Sequence, residues 1–115
     1  MLEALKAAAI AIDGKFAKNI TAIDISDSSS VADYFLIAEA SNPNQINAIV
    51  RACEEALIAY DIKLRHIEGL VRGEWTLMDF GDIVAHIFSG EAREFYGLEK
   101  TWGDCPRVSL DIRES

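Results

Sequence analysis

One group of metal-binding side chains in the second half of the chain is a candidate metal site: Glu68, Asp79, Asp82 and His86. Carboxylate oxygens and imidazole nitrogens are common ligands of divalent metal ions. Asp82 and His86 are four residues apart in a strand-like run, so they would stand about 13 Å apart along it, too far to bind one ion together. The pattern therefore favours packing over metal chemistry, and His86 is expected to be a hydrogen-bonded histidine of the core.

The tripeptide Asp79-Phe80-Gly81 has the spelling of the magnesium-binding motif of protein kinases. The chain is less than half the length of a kinase domain, and its sequence shows neither a glycine-rich phosphate loop nor a catalytic loop. It also shows no P-loop, nucleophile elbow or recognisable catalytic cysteine. We therefore expect no enzyme, no cofactor and no bound metal. A small metal-dependent nucleotidyltransferase or hydrolase using Asp79 and Asp82 is the alternative.

The residues around this tripeptide form two strand-like runs joined by a tight turn. The run from Ile83 to Phe88 is almost continuously apolar, which predicts a strand buried on both faces. In the preceding run Trp75, Leu77 and Asp79 alternate, so they would share one face of a strand, with Gly81 supplying any positive φ in the turn. An aromatic and an aliphatic group beside a carboxylate are common at protein interfaces. A tryptophan there could equally pack into the core, and both interpretations stay open.

Apolar residues spaced three and four apart predict three helices. The first begins near Leu2 and is interrupted at Gly14. The second is capped by Asn42, with Pro43 in its first position and Gln45 placed to reach back as in a capping box. The residues expected to face the core are Ile46, Ile49, Val50, Cys53, Leu57 and Tyr60 in the second helix, and Ala92, Phe95 and Leu98 in the third, which Ser89 caps.

Three further strands complete the pattern. They are a short strand around Ile23 and Ile25, a central strand from Val31 to Ala38, and a possible edge strand from Ile62 to Arg65. A loop is predicted from Glu68 to Gly73, and no periodicity is recognisable from Glu99 to Ser115. The resulting order of elements predicts a single α/β domain with one mixed β-sheet covered by helices.

The charge of the chain limits its partners. Nineteen acidic and eleven basic residues give a formal net charge of -8, which repels phosphate backbones and attracts basic protein surfaces. We therefore expect little direct nucleic-acid binding. No window reaches about 18 uninterrupted apolar residues, and Met1 to Phe16 lacks the pattern of a signal peptide, so no membrane association and a cytoplasmic location are expected. Cys53 and Cys105 lack metal or redox spacing, and Cys53 is expected to be a free buried thiol.

Over most of its length the chain resembles the ribosomal silencing factor family, the Iojap-like proteins of bacteria, chloroplasts and mitochondria. The segments that carry the resemblance occur in the family's order and are far more specific together than any single motif. They are Ile23-Asp24-Ile25, Ala32 to Ala38, Gln45-Ile46 with Ala48-Ile49, Glu68-Gly69, Gly73 to Phe88, and Glu91 to Glu99 with Trp102. The matching part runs from about Leu2 to Asp104, which implies a domain over residues 1–104 and a C-terminal tail over residues 105–115.

The resemblance implies a nucleotidyltransferase-like fold without a working active site, and a homodimer when the protein is free. It also implies binding to the large ribosomal subunit through its ribosomal protein fourteen. This binding would block joining of the small subunit and repress translation under nutrient limitation. The contact residues implied by position are Trp75, Leu77, Met78, Asp79 and Phe80, with Asp79 meeting a basic group.

The sequence departs from the family pattern at two places. Family members usually carry a Ser-x-Arg-Gln run before the central helix, where this chain has Asn42 to Gln45, so a role of that arginine is not carried over. They often carry tyrosine where Phe80 stands, so a hydroxyl hydrogen bond is absent there. The segment from Cys105 to Ser115 matches no part of the family pattern.

Overall fold

The apolar run from Ile83 to Phe88 forms an inner strand of a six-stranded sheet. A computed structural model describes residues 1–70, 74–110 and 112. The strands in this part of the chain are β1 (Lys18–Asp24), β2 (Tyr34–Ala40), β3 (His66–Glu68), β4 (Trp75–Asp79), β5 (Ile83–Ser89) and β6 (Arg107–Val108). Their order in the sheet is β3-β4-β5-β2-β1-β6. Strands β2 and β5 are parallel and the other neighbours antiparallel, so the sheet is mixed, as predicted.

Helices lie on both faces of this sheet, and each face has its own apolar cluster. The helices are α1 (Leu2–Asp13), α2 (Pro43–Ile58), α3 (Gly90–Tyr96) and α4 (Leu98–Thr101). Helices α1 and α2 cover the first face, with Leu5, Ile12 and Leu57 in its cluster. The opposite face, here called the second face, is partly covered by α3 and α4 and carries Phe35, Ile37, Trp75, Leu77, Val84 and Phe88. The protein is therefore a single α/β domain.

The N-terminus of α2 is capped as predicted. Asn42 Oδ1 accepts a hydrogen bond from Gln45 N at 2.9 Å, and Gln45 Oε1 accepts one from Ser41 N. The Gln45 amide also donates to the carbonyl oxygens of Lys15 and Phe16, at 3.1 and 2.8 Å. Gln45 therefore joins the start of α2 to the turn between α1 and β1, which the helix pattern alone did not indicate.

The edge strand lies further along the chain than predicted. Residues 62–65 are not a strand, and the strand at this edge is β3. Ile62 and Leu64 alternate because both pack against the cluster of the first face, and this packing does not require strand pairing. Of the predicted loop from Glu68 to Gly73, Glu68 ends β3, and residues 71–73 lie outside the described residues.

Two residues expected in the core are exposed instead. Helix α2 ends at Ile58, so Tyr60 lies in the turn that follows it, and its side chain is exposed. Phe95 of α3 is 82% exposed. The side of this short helix that faces the sheet carries Ala92 and, four residues later, Tyr96. The ring of Tyr96 lies 6.3 Å from that of Phe88. The prediction of Tyr60 and Phe95 as core residues was therefore wrong.

Part of the segment interpreted as a C-terminal tail belongs to the sheet. Strand β6 pairs with β1 through Val108 opposite Ala22 and Arg107 opposite Ile23. Leu110 and Ile112 pack against the cluster of the first face. A two-residue strand is too short to show periodicity, which explains why the sequence did not indicate it. The division of the chain at residue 104 stays a prediction.

Arg93 fixes α3 against the sheet. Its guanidinium group donates to Glu99 Oε1 at 2.6 Å, to the carbonyl oxygen of Asn19 at 2.6 Å and to Thr21 Oγ1 at 3.1 Å. It also lies 3.4 Å from Glu39 Oε1. The hydrogen bond from Arg93 lowers the pKa of Glu99 below its usual value. One largely buried side chain therefore connects α3 to α4, β1 and β2.

Replacing Arg93 by lysine should lower the free energy of unfolding by about 2–3 kcal/mol, because an ammonium group cannot make these divergent bonds at once. Urea denaturation followed by circular dichroism measures the change. Arg51→Lys, on the exposed side of α2, is the matched control and should stay within about 0.5 kcal/mol of the original protein. Equal stability of the two variants would contradict the role assigned to Arg93.

Candidate protein-interaction face

Strand β4 alternates between buried and partly exposed residues. Trp75, Leu77 and Asp79 lie on the second face and are half-buried, which places them together as predicted. Met78 points to the first face and is fully buried, and Phe80 is buried directly after the strand. Met78 and Phe80 are therefore covered in this conformation, and their assignment as contact residues stays a prediction. They support the face from within the core.

One acidic side chain, Glu68, flanks β4 on its outer side. Strand β3 pairs Glu68 with Leu77 and His66 with Asp79. Glu68 is exposed, and its Oε1 lies 3.1 Å from His66 Nε2. The chain passes close to β4 after Glu68, since a Cβ atom at Gly69, where φ is +88°, would collide with the carbonyl oxygen of Trp75. The outer edge of the face therefore combines carboxylates with the apolar side chains of β4.

Trp75 connects the face to the core below it. Its Nε1 donates to His86 Nδ1 at 3.0 Å, and its ring lies 5.1 Å from that of Phe88 and 4.7 Å from that of Tyr96. The indole is therefore packed on one side and accessible on the other. The sequence left open whether Trp75 packs in the core or lies on the surface. One side of its ring packs on the core and the other is accessible, so each interpretation is right for part of the side chain.

His86 is the hydrogen-bonded core histidine that the sequence predicts. Its side chain is buried, with the ring of Phe35 edge-on at 4.5 Å and that of Phe88 stacked at 6.3 Å. This burial lowers the pKa of His86 from 6.5 to about 4. At neutral pH the imidazole is uncharged, so its Nδ1 can accept the hydrogen bond that Trp75 Nε1 donates.

The turn between β4 and β5 holds the carboxylate of Asp79. Asp79 Oδ1 accepts a hydrogen bond from Gly81 N at 2.8 Å. Gly81 has a φ of +91°, so the positive φ expected at this glycine is confirmed. Asp82 is exposed in the same turn, and its carbonyl oxygen accepts from the backbone of Asp33 and Tyr34. The turn thus orients Asp79 on the second face.

The four candidate metal ligands are separated. His86 lies beneath Trp75, while Glu68 is on the edge strand and Asp82 in the exposed turn. Within residues 1–70, 74–110 and 112, no three histidine, cysteine or acidic side chains are grouped to hold a metal ion. Cys53 is buried and free, as expected, and burial raises the pKa of its thiol to about 12. The described helices include none that is long and apolar enough to cross a membrane.

The sequence pattern missed the aromatic residues that extend the face. Tyr96 lies against Trp75, and Phe95 packs edge-on against Tyr96 with 5.1 Å between ring centroids. Toward the other side, Phe35 packs against Trp102 at 5.3 Å. The spacing of Ala92 and Tyr96, four residues apart, was the available signal for the inward side of α3.

Fold and site together define a small α/β protein with an accessible aromatic and acidic sheet face. The family model described as "Ribosomal silencing factor during starvation" matches residues 1–115. The chain therefore belongs to the ribosomal silencing factor family.

Known proteins are similar over nearly the whole chain. The ribosomal silencing factor RsfS of Bacillus subtilis is 42% identical, covering 94% of this chain and 92% of the relative. The chloroplastic protein Iojap of Zea mays is 34% identical over 67% of this chain and 33% of its own length. A crystal structure from Bacillus halodurans has a TM-score of 0.81 at 33% identity, covering 96% of this chain and 100% of that one. The nucleotidyltransferase-like character of the fold and the homodimer stay predictions.

The buried, neutral His86 should make the protein sensitive to acid. Its folded-state pKa of about 4 lies below the usual 6.5, so between these values the unfolded chain binds more protons. The free energy of unfolding should therefore fall by about 3 kcal/mol as the pH drops from 6.5 to 4 through this residue.

Denaturation curves at several pH values, compared with those of His86→Leu, isolate this contribution. In the leucine variant the free energy of unfolding should change much less between pH 6.5 and 4, although this variant also leaves Trp75 without its hydrogen-bond acceptor. His66→Leu, which removes the histidine of the sheet edge, is the matched control and should keep the fall. An unchanged pH dependence in His86→Leu would show that protonation of His86 does not oppose folding.

Proposed function

We propose that the protein binds the large ribosomal subunit through its ribosomal protein fourteen and thereby blocks joining of the small subunit, which represses translation. The contact is made by Trp75, Leu77 and Asp79. The observation that carries the proposal is that these three side chains stand together, half-exposed, on the second face. Membership of the ribosomal silencing factor family supports a ribosomal partner.

The chemistry of the face fits a basic protein partner. Tryptophan is enriched among the residues that dominate binding energy, since it buries a large area with one polar group. Asp79 supplies a fixed carboxylate on the same face at the other end of β4, and Glu68 adds a second on the neighbouring strand. With a net charge of -8, the protein is attracted to a basic surface and repelled by exposed RNA backbone. Protein rather than RNA is therefore the contact we propose.

Steric exclusion needs no chemical step. The protein measures 34 × 32 × 29 Å, so one bound copy would hold apart two surfaces that must touch. Inhibition should then follow occupancy of the large subunit and reverse on dissociation.

The enzymatic alternative using Asp79 and Asp82 is not supported. Asp79 is engaged by the turn, and Asp82 is exposed. The relatives from Bacillus subtilis and Halalkalibacterium halodurans are named ribosomal silencing factors.

A subunit-association assay tests the proposed function. Purified large subunits are saturated with the protein before small subunits are added, and joined ribosomes are measured on a sucrose gradient. We expect joining to be suppressed in proportion to occupancy. Asp79→Asn should weaken large-subunit binding about tenfold or more, because it keeps an oxygen acceptor for Gly81 N but removes the charge.

Asp82→Asn is the matched control, since it removes an exposed carboxylate of the same turn, and it should bind and inhibit like the original protein. Excess free ribosomal protein fourteen should restore joining by sequestering the protein. Normal joining on fully occupied large subunits would disprove steric exclusion even if binding is tight.

A further inference from the structure

We infer that the binding face continues from β4 onto α3, where Phe95 and Tyr96 form a second apolar contact for the same basic ribosomal protein. This inference rests on the proposed function. It assigns to α3 a direct contact with the partner, in addition to its packing against the sheet.

The aromatic rings are continuous from β4 to the outside of α3. Tyr96 lies 4.7 Å from Trp75, and Phe95 lies 5.1 Å from Tyr96 in a perpendicular arrangement. Exposure increases along this series, since Tyr96 is 42% exposed and Phe95 is 82% exposed. An exposed phenylalanine alone is ordinary, but one joined to a half-exposed tryptophan and tyrosine enlarges a single apolar patch. Phe95 therefore extends the face that Trp75 begins.

Helix α3 presents this patch from a fixed position. Ser89 Oγ accepts from Ala92 N at 3.3 Å at the start of the helix, and Gly97 ends it in the left-handed conformation with φ +57°. Between them Arg93 is bonded to Glu99 and to the backbone of Asn19. A side chain on an already ordered element loses less conformational entropy on binding. Because the backbone at Phe95 is already ordered, this residue is better suited to a binding contact than one on a mobile loop.

The charges of α3 indicate which partner covers the patch. Glu91 and Glu94 are exposed, whereas Arg93, the cation of this helix, is occupied by Glu99 and Glu39. Glu74 is exposed just before Trp75, and its carbonyl oxygen accepts from Ser89 N at the start of α3. Exposed acidic residues are thus the neighbours of the patch along the chain. A second copy of this chain would place two acidic surfaces together, whereas a basic protein would complement them.

Two matched phenylalanine variants test the inference. Phe95→Ala should raise the dissociation constant for purified large subunits about tenfold or more, mainly through faster dissociation. Phe16→Ala removes a phenylalanine that is 81% exposed, in the turn after α1, and should leave binding unchanged. Because both rings are exposed, both variants should keep the circular dichroism spectrum and melting temperature of the original protein.

A charge variant supplies an independent measurement. Glu94→Lys should slow association several-fold and flatten its dependence on salt, because it reverses an exposed charge on the helix that carries Phe95. Phe95→Ala should leave that salt dependence unchanged. Equal association rates and salt dependences for Glu94→Lys and the original protein would contradict the proposed charge complementarity.

The outcomes separate this inference from the function it rests on. If Phe95→Ala binds like the original protein while Asp79→Asn binds weakly, the face ends at β4 and the inference is wrong. If the original protein does not bind large subunits, the proposed function fails as well. If Phe95→Ala loses only self-association, measured by light scattering, a second copy covers the patch and the inference is overturned.

Discussion

The hydrogen bond between Trp75 and His86 joins the partly exposed side of strand β4 to the core. The indole donates to an imidazole that burial keeps neutral, and a protonated ring could not accept this bond. Burial of the histidine is therefore what allows the tryptophan to be anchored from below. The same indole packs against Phe88 and Tyr96, so its position also affects how α3 meets the sheet. The proposed contact face, held in this way, would need little rearrangement on binding.

The second constraint is the two-residue period of β4. It places Thr76 and Met78 in the core and leaves Trp75, Leu77 and Asp79 partly exposed, so one strand contributes both to the core and to the proposed contact surface. The turn then holds the carboxylate of Asp79 through Gly81 N. Acidic and apolar groups in fixed positions, without a grouped set of metal ligands in the described part of the chain, suit binding to a basic protein surface.

Features set by neighbouring residues could be predicted from the sequence, while features set by distant contacts could not. The α2 cap at Asn42 and the positive φ of Gly81 depend on local chemistry, and both are confirmed. The exposure of Phe95 depends on which side of a two-turn helix meets the sheet, and Arg93 fixes this through residues more than fifty positions away. Strand β6 exists because β1 offers an edge. For the site, alternation placed the three half-exposed residues correctly, whereas the resemblance added Met78 and Phe80, which are buried.

The proposed function depends most on the side of the sheet that contacts the ribosome. A cryo-electron microscopy reconstruction of large subunits saturated with this protein would show that side directly. We expect the second face to lie against ribosomal protein fourteen, with the indole of Trp75 covered by it and α1 and α2 turned away. A complex in which α1 and α2 form the contact, with Trp75 exposed to solvent, would contradict it.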